Sequence, residues 1–140
     1  MSLEDKLAIQ EVIAQYSYTY DTQDAEGFAA LFTEDAVWEL FAAGSTGPTI
    51  RLESRAAIRG WAMQRLQERR GRFISRHYQS STMFETLTAE SARTRTMLLV
   101  THQDVTEAAP HHDQWRKTPE GWQLVYRSLH HDTREPLLNA

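Results

Sequence analysis

The stretch from residue 111 to residue 131, HHDQWRKTPEGWQLVYRSLHH, decides the fold. Two strand-like runs, His111 to Lys117 and Trp122 to His131, flank the segment Thr118-Pro119-Glu120-Gly121. Proline and glycine suit the backbone angles of tight turns, so this stretch predicts a β-hairpin. Further strand-like runs precede it, separated by short breaks, at residues 72–78, 80–87 and 91–103. Consecutive strands joined in this way predict an antiparallel meander in the second half of the chain.

The first half of the chain is predicted to begin with two helices. From Leu3 to about Tyr20, apolar residues recur close to one stripe of a helix with ~3.6 residues per turn. The residues of this stripe are Leu7, Val12, Ile13, Tyr16 and Tyr20. Asp24 can cap a second helix over residues 25–32, because its side-chain oxygen can accept a hydrogen bond from a free first-turn N–H. A long opening helix followed by a short one is therefore expected.

A strand and a third helix complete the predicted order. Residues 33–35 are interpreted as a turn into a strand over residues 36–41. A helix is expected from about Ser54 to Arg70, and Gly71 suits its end. Its last turns carry basic side chains that are interpreted as a solvated face, namely Arg65, Arg69 and Arg70. Helices followed by consecutive strands predict an α+β fold, with the helices on one face of a curved sheet.

The composition fits one globular domain spanning residues 1–140. Of these residues 41% are hydrophobic and 24% are charged, and no repeat or linker divides them. The formal net charge of −4 gives no general attraction to nucleic acid or membranes, so a small molecule is the expected partner. The absence of cysteine excludes disulfides and thiol catalysis. The first residues lack the basic and apolar regions of a signal peptide, so a cytoplasmic protein is expected.

Asp21 and His77 form the main candidate pair for catalysis. Asp21 ends the first predicted helix, next to Tyr20, and His77 lies in a predicted strand. A carboxylate that accepts the Nδ1 proton of an imidazole fixes the ring and leaves Nε2 as a base. Such a pair can move a proton in general acid–base catalysis. The alternatives are a helix-ending turn residue for Asp21 and a hydrogen-bonded core residue for His77.

Two pairs of histidines raise the question of a metal site. They are His111-His112 and His130-His131. Adjacent residues on a strand point to opposite faces of the sheet, so each pair offers at most one ligand to a common site. No acidic residue completes a recognisable ligand set, and we therefore expect no metal. Since no phosphate-binding glycine loop or nucleotide fingerprint occurs either, no cofactor is expected.

Several motifs follow one another along the chain in a recognisable order. They are Tyr20-Asp21 after the first helix, a short helix, Glu34-Asp35-Ala36-Val37-Trp38, a third helix, His77-Tyr78 and the closing hairpin with Gly121-Trp122. Over nearly the whole chain, this order resembles the nuclear transport factor 2-like superfamily, in its SnoaL-like branch. The resemblance implies a cone-shaped, curved mixed or antiparallel sheet packed against three N-terminal helices. Within the branch, the residues are similar to those of scytalone dehydratase and hexachlorocyclohexane dehydrochlorinase, cofactor-free lyases whose Asp-His dyad corresponds to Asp21 and His77.

The resemblance also assigns roles to further residues. Tyr20 looks like a tyrosine that in the dehydratase helps bind a water acting on the substrate carbonyl, and His102 looks like that enzyme's second pocket histidine. Arg127 resembles an arginine in the dehydrochlorinase pocket. Tyr16 stands near the position of the dehydrochlorinase lysine, so a departing chloride would lose its cationic partner. The dehydratase is therefore the nearer match.

The sequence thus predicts a lyase or isomerase, dehydratase-like, that acts on a small, largely apolar and cyclic or aromatic hydroxy-carbonyl compound. His77 would be the general acid and base, Asp21 would orient it, and two hydroxyls would donate to the carbonyl oxygen. Those donors are Tyr16 and Tyr20. The residues expected to bind the substrate around them are His102, Arg127, Trp38 and Trp61. The alternatives are a solvated strand end for His102, a surface ion pair for Arg127 and core packing for the two tryptophans.

Other functions stay open on the same fold, which hosts many activities. They are a non-catalytic ligand-binding protein, a module like the small subunit of ring-hydroxylating dioxygenases, a polyketide cyclase and an epoxide hydrolase. Relatives form dimers or trimers through the open sheet face, so the resemblance also implies a homo-oligomer.

Overall fold

The computed structural model describes residues 2–71, 75–102 and 105–132. Two helices come first, then two strands, a third helix and four strands. The elements are α1 (Leu3–Asp21), α2 (Ala25–Ala29), β1 (Phe32–Phe41), β2 (Ile50–Glu53), α3 (Arg55–Arg69), β3 (Ser75–Leu87), β4 (Ser91–His102), β5 (Val105–Thr118) and β6 (Gly121–His130).

Each helix begins at a polar cap. The side chains of Ser2, Asp24 and Ser54 accept hydrogen bonds from first-turn N–H groups of α1, α2 and α3, which satisfies donors that have no partner within the helix. The buried stripe of α1 contains Ile9, Ile13, Tyr16 and Tyr20, spaced by four, three and four residues. Leu7, which was expected on this stripe, is 57% exposed because Ile9 occupies the core-facing position instead.

The strands form one mixed sheet in the order β2-β1-β6-β5-β4-β3. All neighbours are antiparallel except β1 and β6, which run parallel because α3 and the meander separate them along the chain. The sheet is curled but not closed, with β2 and β3 at its edges. Helix α1 packs against β3 and β6, and α3 packs against β1. The predicted α+β class, with a curved sheet around three helices, is confirmed.

The predicted hairpin forms between β5 and β6. Thr118 and Gly121 are paired partners, and Gly121 has a φ of 104°, a left-handed conformation that glycine adopts without strain. In β4 the buried and exposed residues alternate without a break from Ser91 to Val100, as a strand with one covered face requires. Within the described ranges, none of the helices combines the length and the apolar character needed to cross a lipid bilayer.

Several strand boundaries differ from the sequence prediction. Strand β1 begins at Phe32, so the predicted turn at residues 33–35 is part of the strand and α2 is shorter than expected. The predicted strands 72–78 and 80–87 are continuous from Ser75, with a bulge near Ser81, whose φ is 56°. A bulge lets a strand bend without ending. Residues 72–74 and 103 of the predicted strands lie outside the described residues.

Two strands were underestimated or missed. β5 begins at Val105 rather than His111, and β2 was not predicted. A run as short as Ile50-Arg51-Leu52-Glu53 has little periodicity of its own, and it exists because it pairs with residues 37–40 of β1.

Candidate active site

Asp21 and His77 meet at the end of α1. Asp21 is the last residue of this helix, and its Oδ1 lies 2.6 Å from Nδ1 of His77 on β3. The same carboxylate accepts a hydrogen bond from the backbone N–H of His77 through Oδ2, at 2.8 Å. Ser75 Oγ donates to Oδ1 at 3.1 Å. Three donors from one strand therefore hold the carboxylate against the imidazole.

This contact defines the orientation of the His77 ring. An ionised carboxylate can only accept hydrogen bonds, so Nδ1 must donate to Asp21. Nε2 is then the ring nitrogen that is left for a ligand. The two side chains are 11% and 9% exposed, and His77 forms part of the wall of a cavity.

The cavity has a volume of about 110 Å³ and lies between α1, α3 and the concave face of the sheet. Its wall includes five residues that the sequence singled out, namely Tyr16, Tyr20, Trp38, Trp61 and His77. The rings of Trp38 and Trp61 are 4.9 Å apart, and the ring of Tyr20 is 4.7 Å from that of His77. Such a wall suits a small, flat and largely apolar molecule.

Two tyrosine hydroxyls belong to this wall. Burial raises the pKa of Tyr16 and of Tyr20 above the ordinary tyrosine value, so both stay protonated near neutral pH. Tyr16 Oη accepts a hydrogen bond from Nε1 of Trp38 at 3.2 Å, which leaves its own O–H free to donate. The charges of Arg69 and Arg65 oppose this rise at Tyr20 without reversing it. Both groups can therefore donate to a polar atom of a ligand.

Arg127 lies behind the cavity wall rather than in it. Its Nε and Nη2 donate to the two carboxylate oxygens of Asp113, at 2.7 and 2.8 Å. Both side chains are fully buried, and the guanidinium stacks on the ring of Tyr16 at 4.2 Å from the centroid. Arg127 is not among the residues that line the cavity, so the expected contact with a ligand is not observed. Asp113 holds Nε and Nη2, and Tyr16 covers the flat face of the guanidinium, while Nη1 is buried with no hydrogen-bond partner among the described residues. Arg127 acts on the cavity through its charge.

His111 was not singled out for this site, yet it lies in the cavity wall. It is 1% exposed, while its neighbour His112 is on the other face of β5 and is partly exposed. Adjacent side chains on a strand point to opposite faces of the sheet, which argued against a metal site built from such a pair. The same alternation directs one of the two histidines into the cavity. The sequence could have reduced the choice to one of the two, but it could not say which one.

The remaining predictions have mixed outcomes. The backbone of His102 is in β4, but its side chain lies outside what the structure describes. Arg65 is exposed, as predicted for a solvated face, and Arg69 is half-buried; both also border the cavity, because the last turns of α3 form part of its wall. Among residues 2–71, 75–102 and 105–132, no group of three or more histidine, aspartate or glutamate side chains is placed to hold a metal ion.

A curled mixed sheet, three helices on its concave side and a cavity between them define an α+β protein of the nuclear transport factor 2-like class, also described as cystatin-like. The model of the SnoaL-like domain family matches residues 1–128. The chain therefore belongs to the SnoaL-like family. No curated protein sequence matches it at a significant level.

Solved structures support the same fold. A Nostoc punctiforme protein of unknown function with a cystatin-like fold is 24% identical, with a TM-score of 0.77 over 99% of this chain and 98% of that one. A variant of a Mycobacterium tuberculosis protein of unknown function is 27% identical, with a TM-score of 0.75 over 90% and 70%. A Novosphingobium aromaticivorans protein provisionally named scytalone dehydratase is 23% identical, with a TM-score of 0.76 over 94% and 86%.

Proposed function

We propose that this protein is a cofactor-independent lyase or isomerase of the dehydratase type, acting on a small, largely apolar and cyclic hydroxy-carbonyl compound. The observation that carries the proposal is the 2.6 Å contact between Asp21 and His77, which itself lies in the wall of an aromatic cavity. A carboxylate-held imidazole is a proton-transfer group that needs no metal or cofactor.

The proposed reaction begins with a proton on the carbon next to the substrate carbonyl. Nε2 of His77 takes this proton, and the C–H electron pair becomes an enolate. The hydroxyls of Tyr16 and Tyr20 donate to the enolate oxygen, and each such donor typically contributes about 3 kcal/mol of transition-state stabilisation.

The second step releases water. The enolate re-forms its carbonyl, its electron pair forms a carbon–carbon double bond, and the bond to the β-hydroxyl breaks. The proton held by His77 passes to the departing oxygen, so the products are an unsaturated carbonyl compound and water. Asp21 stays ionised throughout and stabilises the transient imidazolium. If the proton instead returns to another carbon, the same residues perform an isomerisation.

Proton exchange tests this proposal before the natural substrate is known. A panel of single-ring β-hydroxy ketones is incubated with the protein in D2O, and NMR follows deuterium entering next to the carbonyl and any enone that forms. We expect exchange above the buffer rate for at least one member, and loss of that exchange in His77→Gln. His112→Gln is the matched control, since His112 lies outside the cavity. Absence of exchange across the panel would contradict the proposal.

A polyketide cyclase would use the same dyad, because ring closure also begins with removal of a proton next to a carbonyl. Product analysis separates the two activities, since cyclisation forms a carbon–carbon single bond where dehydration forms a double bond. A non-catalytic module, such as a dioxygenase small subunit, would bind the panel members without exchange, and would co-purify with a large iron-sulfur subunit.

We also propose that the protein is a homo-oligomer, either a dimer or a trimer. Exposed apolar side chains cluster on the outer face of β3 and β4, where Tyr78 pairs with Leu99 and Met97 lies two residues away. Light scattering should give a mass above 16.2 kDa, and Leu99→Lys should reduce it to that of one chain. A monomer at micromolar concentration would overturn this part. The cytoplasmic location expected from the sequence stays a prediction that cell fractionation would test.

A further inference from the structure

Gln79 links α1 to the cavity through a side-chain amide whose orientation is fixed. Its Nε2 lies 2.9 Å from the backbone carbonyl oxygen of Ile13 and 2.7 Å from Oγ of Ser17. A carbonyl oxygen can only accept a hydrogen bond, so the nitrogen end of the amide must face α1. The oxygen end, Oε1, therefore faces away from the helix, toward the cavity wall.

That amide oxygen in turn fixes the tautomer of His111. Oε1 of Gln79 lies 3.0 Å from Nδ1 of His111. Since an amide oxygen only accepts, Nδ1 must carry the proton. In a neutral imidazole with a proton on Nδ1, Nε2 is unprotonated and can only accept. His111 lies in the cavity wall, and Nδ1 is directed at Gln79, so Nε2 is the nitrogen available to a ligand.

The surroundings of His111 keep the ring neutral. It is buried, and burial lowers its pKa well below the ordinary histidine value, an effect to which the charges of Arg127 and His77 add. The groups that face it are Tyr16 of α1, with ring centroids 5.6 Å apart, His77 of β3 and Arg127 of β6, which is paired with Asp113; His112 adjoins it on β5. Among the described contacts, the His111 ring has no direct contact with a carboxylate.

We infer that His111 is a ligand-binding residue that accepts a hydrogen bond from a hydroxyl of the bound molecule, and that Gln79 is its positioning residue. This inference rests on the proposed function, because it assigns the hydroxyl end of the proposed hydroxy-carbonyl substrate. The hydroxyl lies toward β5, where Nε2 of His111 accepts its proton in a hydrogen bond. The reacting C–H lies toward β3, where His77 stands.

The two cavity imidazoles therefore differ in kind. Nδ1 of His77 lies 2.6 Å from a carboxylate oxygen of Asp21. The proton on Nδ1 of His111 is held by a neutral amide, and the nearby Arg127 opposes a second proton. His77 can take up and release a proton during a reaction, whereas His111 stays an acceptor.

The tautomer is tested by long-range proton–nitrogen NMR of the wild-type protein, which needs no substrate. We expect the signals of a protonated Nδ1 and an unprotonated Nε2 for His111, unchanged from neutral to mildly acidic pH. In Gln79→Met, which keeps the side-chain length but removes the acceptor, the signals should move toward the Nε2-protonated form that free imidazoles favour. His112, which is on the other face of β5, is the internal control, and its signals should be the same in the wild type and in Gln79→Met. An Nε2-protonated or a charged His111 in the wild type would overturn the inference.

The hydroxyl preference is tested by binding of phenol and toluene, which have similar size and shape. In Gln79→Met the affinity for phenol should fall about tenfold relative to toluene, because the donor of phenol would meet an N–H instead of a lone pair. His112→Phe should leave the ratio unchanged. Equal effects on both probes in Gln79→Met would overturn the inference.

These measurements separate the inference from the proposed function. Phenol selectivity with the expected tautomer but no ketone exchange would overturn catalysis and leave the binding role of His111 standing. Ketone exchange that depends on His77, with no phenol selectivity, would overturn only the role of His111.

Discussion

Two carboxylates, the half-buried Asp21 and the buried Asp113, each hold a basic side chain, but they do so in different surroundings. Asp113 and Arg127 are fully buried behind Tyr16, with two parallel hydrogen bonds between them. Asp21 and His77 keep 9% and 11% of their side chains exposed, and His77 lies in the wall of the cavity. One pair is sealed from ligands and the other is open to them.

The difference lies in what each partner can do with a proton. A guanidinium stays charged at all ordinary pH values, so the Asp113–Arg127 pair fixes a charge in the core. Although burial opposes that charge, Asp113 keeps the pKa of Arg127 above its ordinary value. An imidazole can gain and lose a proton near neutral pH. We therefore expect the Asp113–Arg127 pair to stabilise the fold and the Asp21–His77 pair to transfer protons.

The largest expected effect is on catalysis, from His77→Gln. Removing a general acid–base group should lower the turnover of a responsive ketone by about 10²- to 10⁴-fold. The free energy of unfolding should change little in comparison, because glutamine can still donate to Asp21. Exchange kinetics and urea unfolding measure the two quantities. A stability loss without an activity loss would reverse the roles of the two pairs.

The next effect is on stability, from Arg127→Met. It leaves Asp113 buried without its partner, which should cost about 3–5 kcal/mol in the free energy of unfolding. Urea denaturation measures this cost. The double variant Asp113→Leu with Arg127→Met should recover part of it, since no lone charge then stays buried. A double variant that is less stable than the single one would show that the pair has a further role.

Smaller effects are expected from the hydroxyls that support each carboxylate. Ser75→Ala removes a donor to Asp21, and should lower turnover by about tenfold or less, corresponding to about 1 kcal/mol. Thr94→Val is the matched change at the other pair. Thr94 Oγ1 accepts from Nε1 of Trp115 at 2.9 Å and lies 3.4 Å from Asp113, so its loss should reduce stability and leave turnover unchanged. If Ser75→Ala and Thr94→Val lowered turnover equally, the two pairs would not differ in their roles.

A third carboxylate, Asp5, gives the smallest effect, one that depends on pH. Hydrogen bonds from Lys117, Trp122 and Ser2 hold its pKa well below the ordinary value. A lowered pKa in the folded state stabilises the fold above the unfolded-state pKa of about 3.9, and this contribution is lost as the pH falls toward the folded-state pKa. Asp5→Asn should therefore be less stable than the wild type at neutral pH, and the difference should shrink in acid.

Thermal unfolding at several pH values measures this difference. A gap between wild type and Asp5→Asn that widens in acid would contradict the assignment. Turnover should not respond, since Asp5 lies outside the cavity wall.

Much of the fold could be predicted because it depends on local signals. The ends of the third helix lie within one residue of the predicted ends, because the cap residue Ser54 and the terminating Gly71 are local sequence signals. The β5–β6 hairpin likewise follows from its own turn residues. Strand β2 could not be predicted, because its pairing with β1 is a long-range contact.

The site divides in the same way. Asp21 and His77 could be proposed because a helix end and a strand have definite places in a resembling fold. His111 could not, since adjacent histidines on a strand differ only in which face each occupies, and the register of β5 decides this. Gln79 carries no signal of its own, because an amide has no characteristic spacing. Its importance depends on Ile13, 66 residues away.

The most direct test of the central claim is the rate of deuterium exchange in Asp21→Asn. This variant keeps the shape of the side chain but removes the charge that holds and activates His77. The account predicts a loss of at least about 100-fold relative to the wild type, with the backbone fold retained. An exchange rate equal to that of the wild type would contradict it.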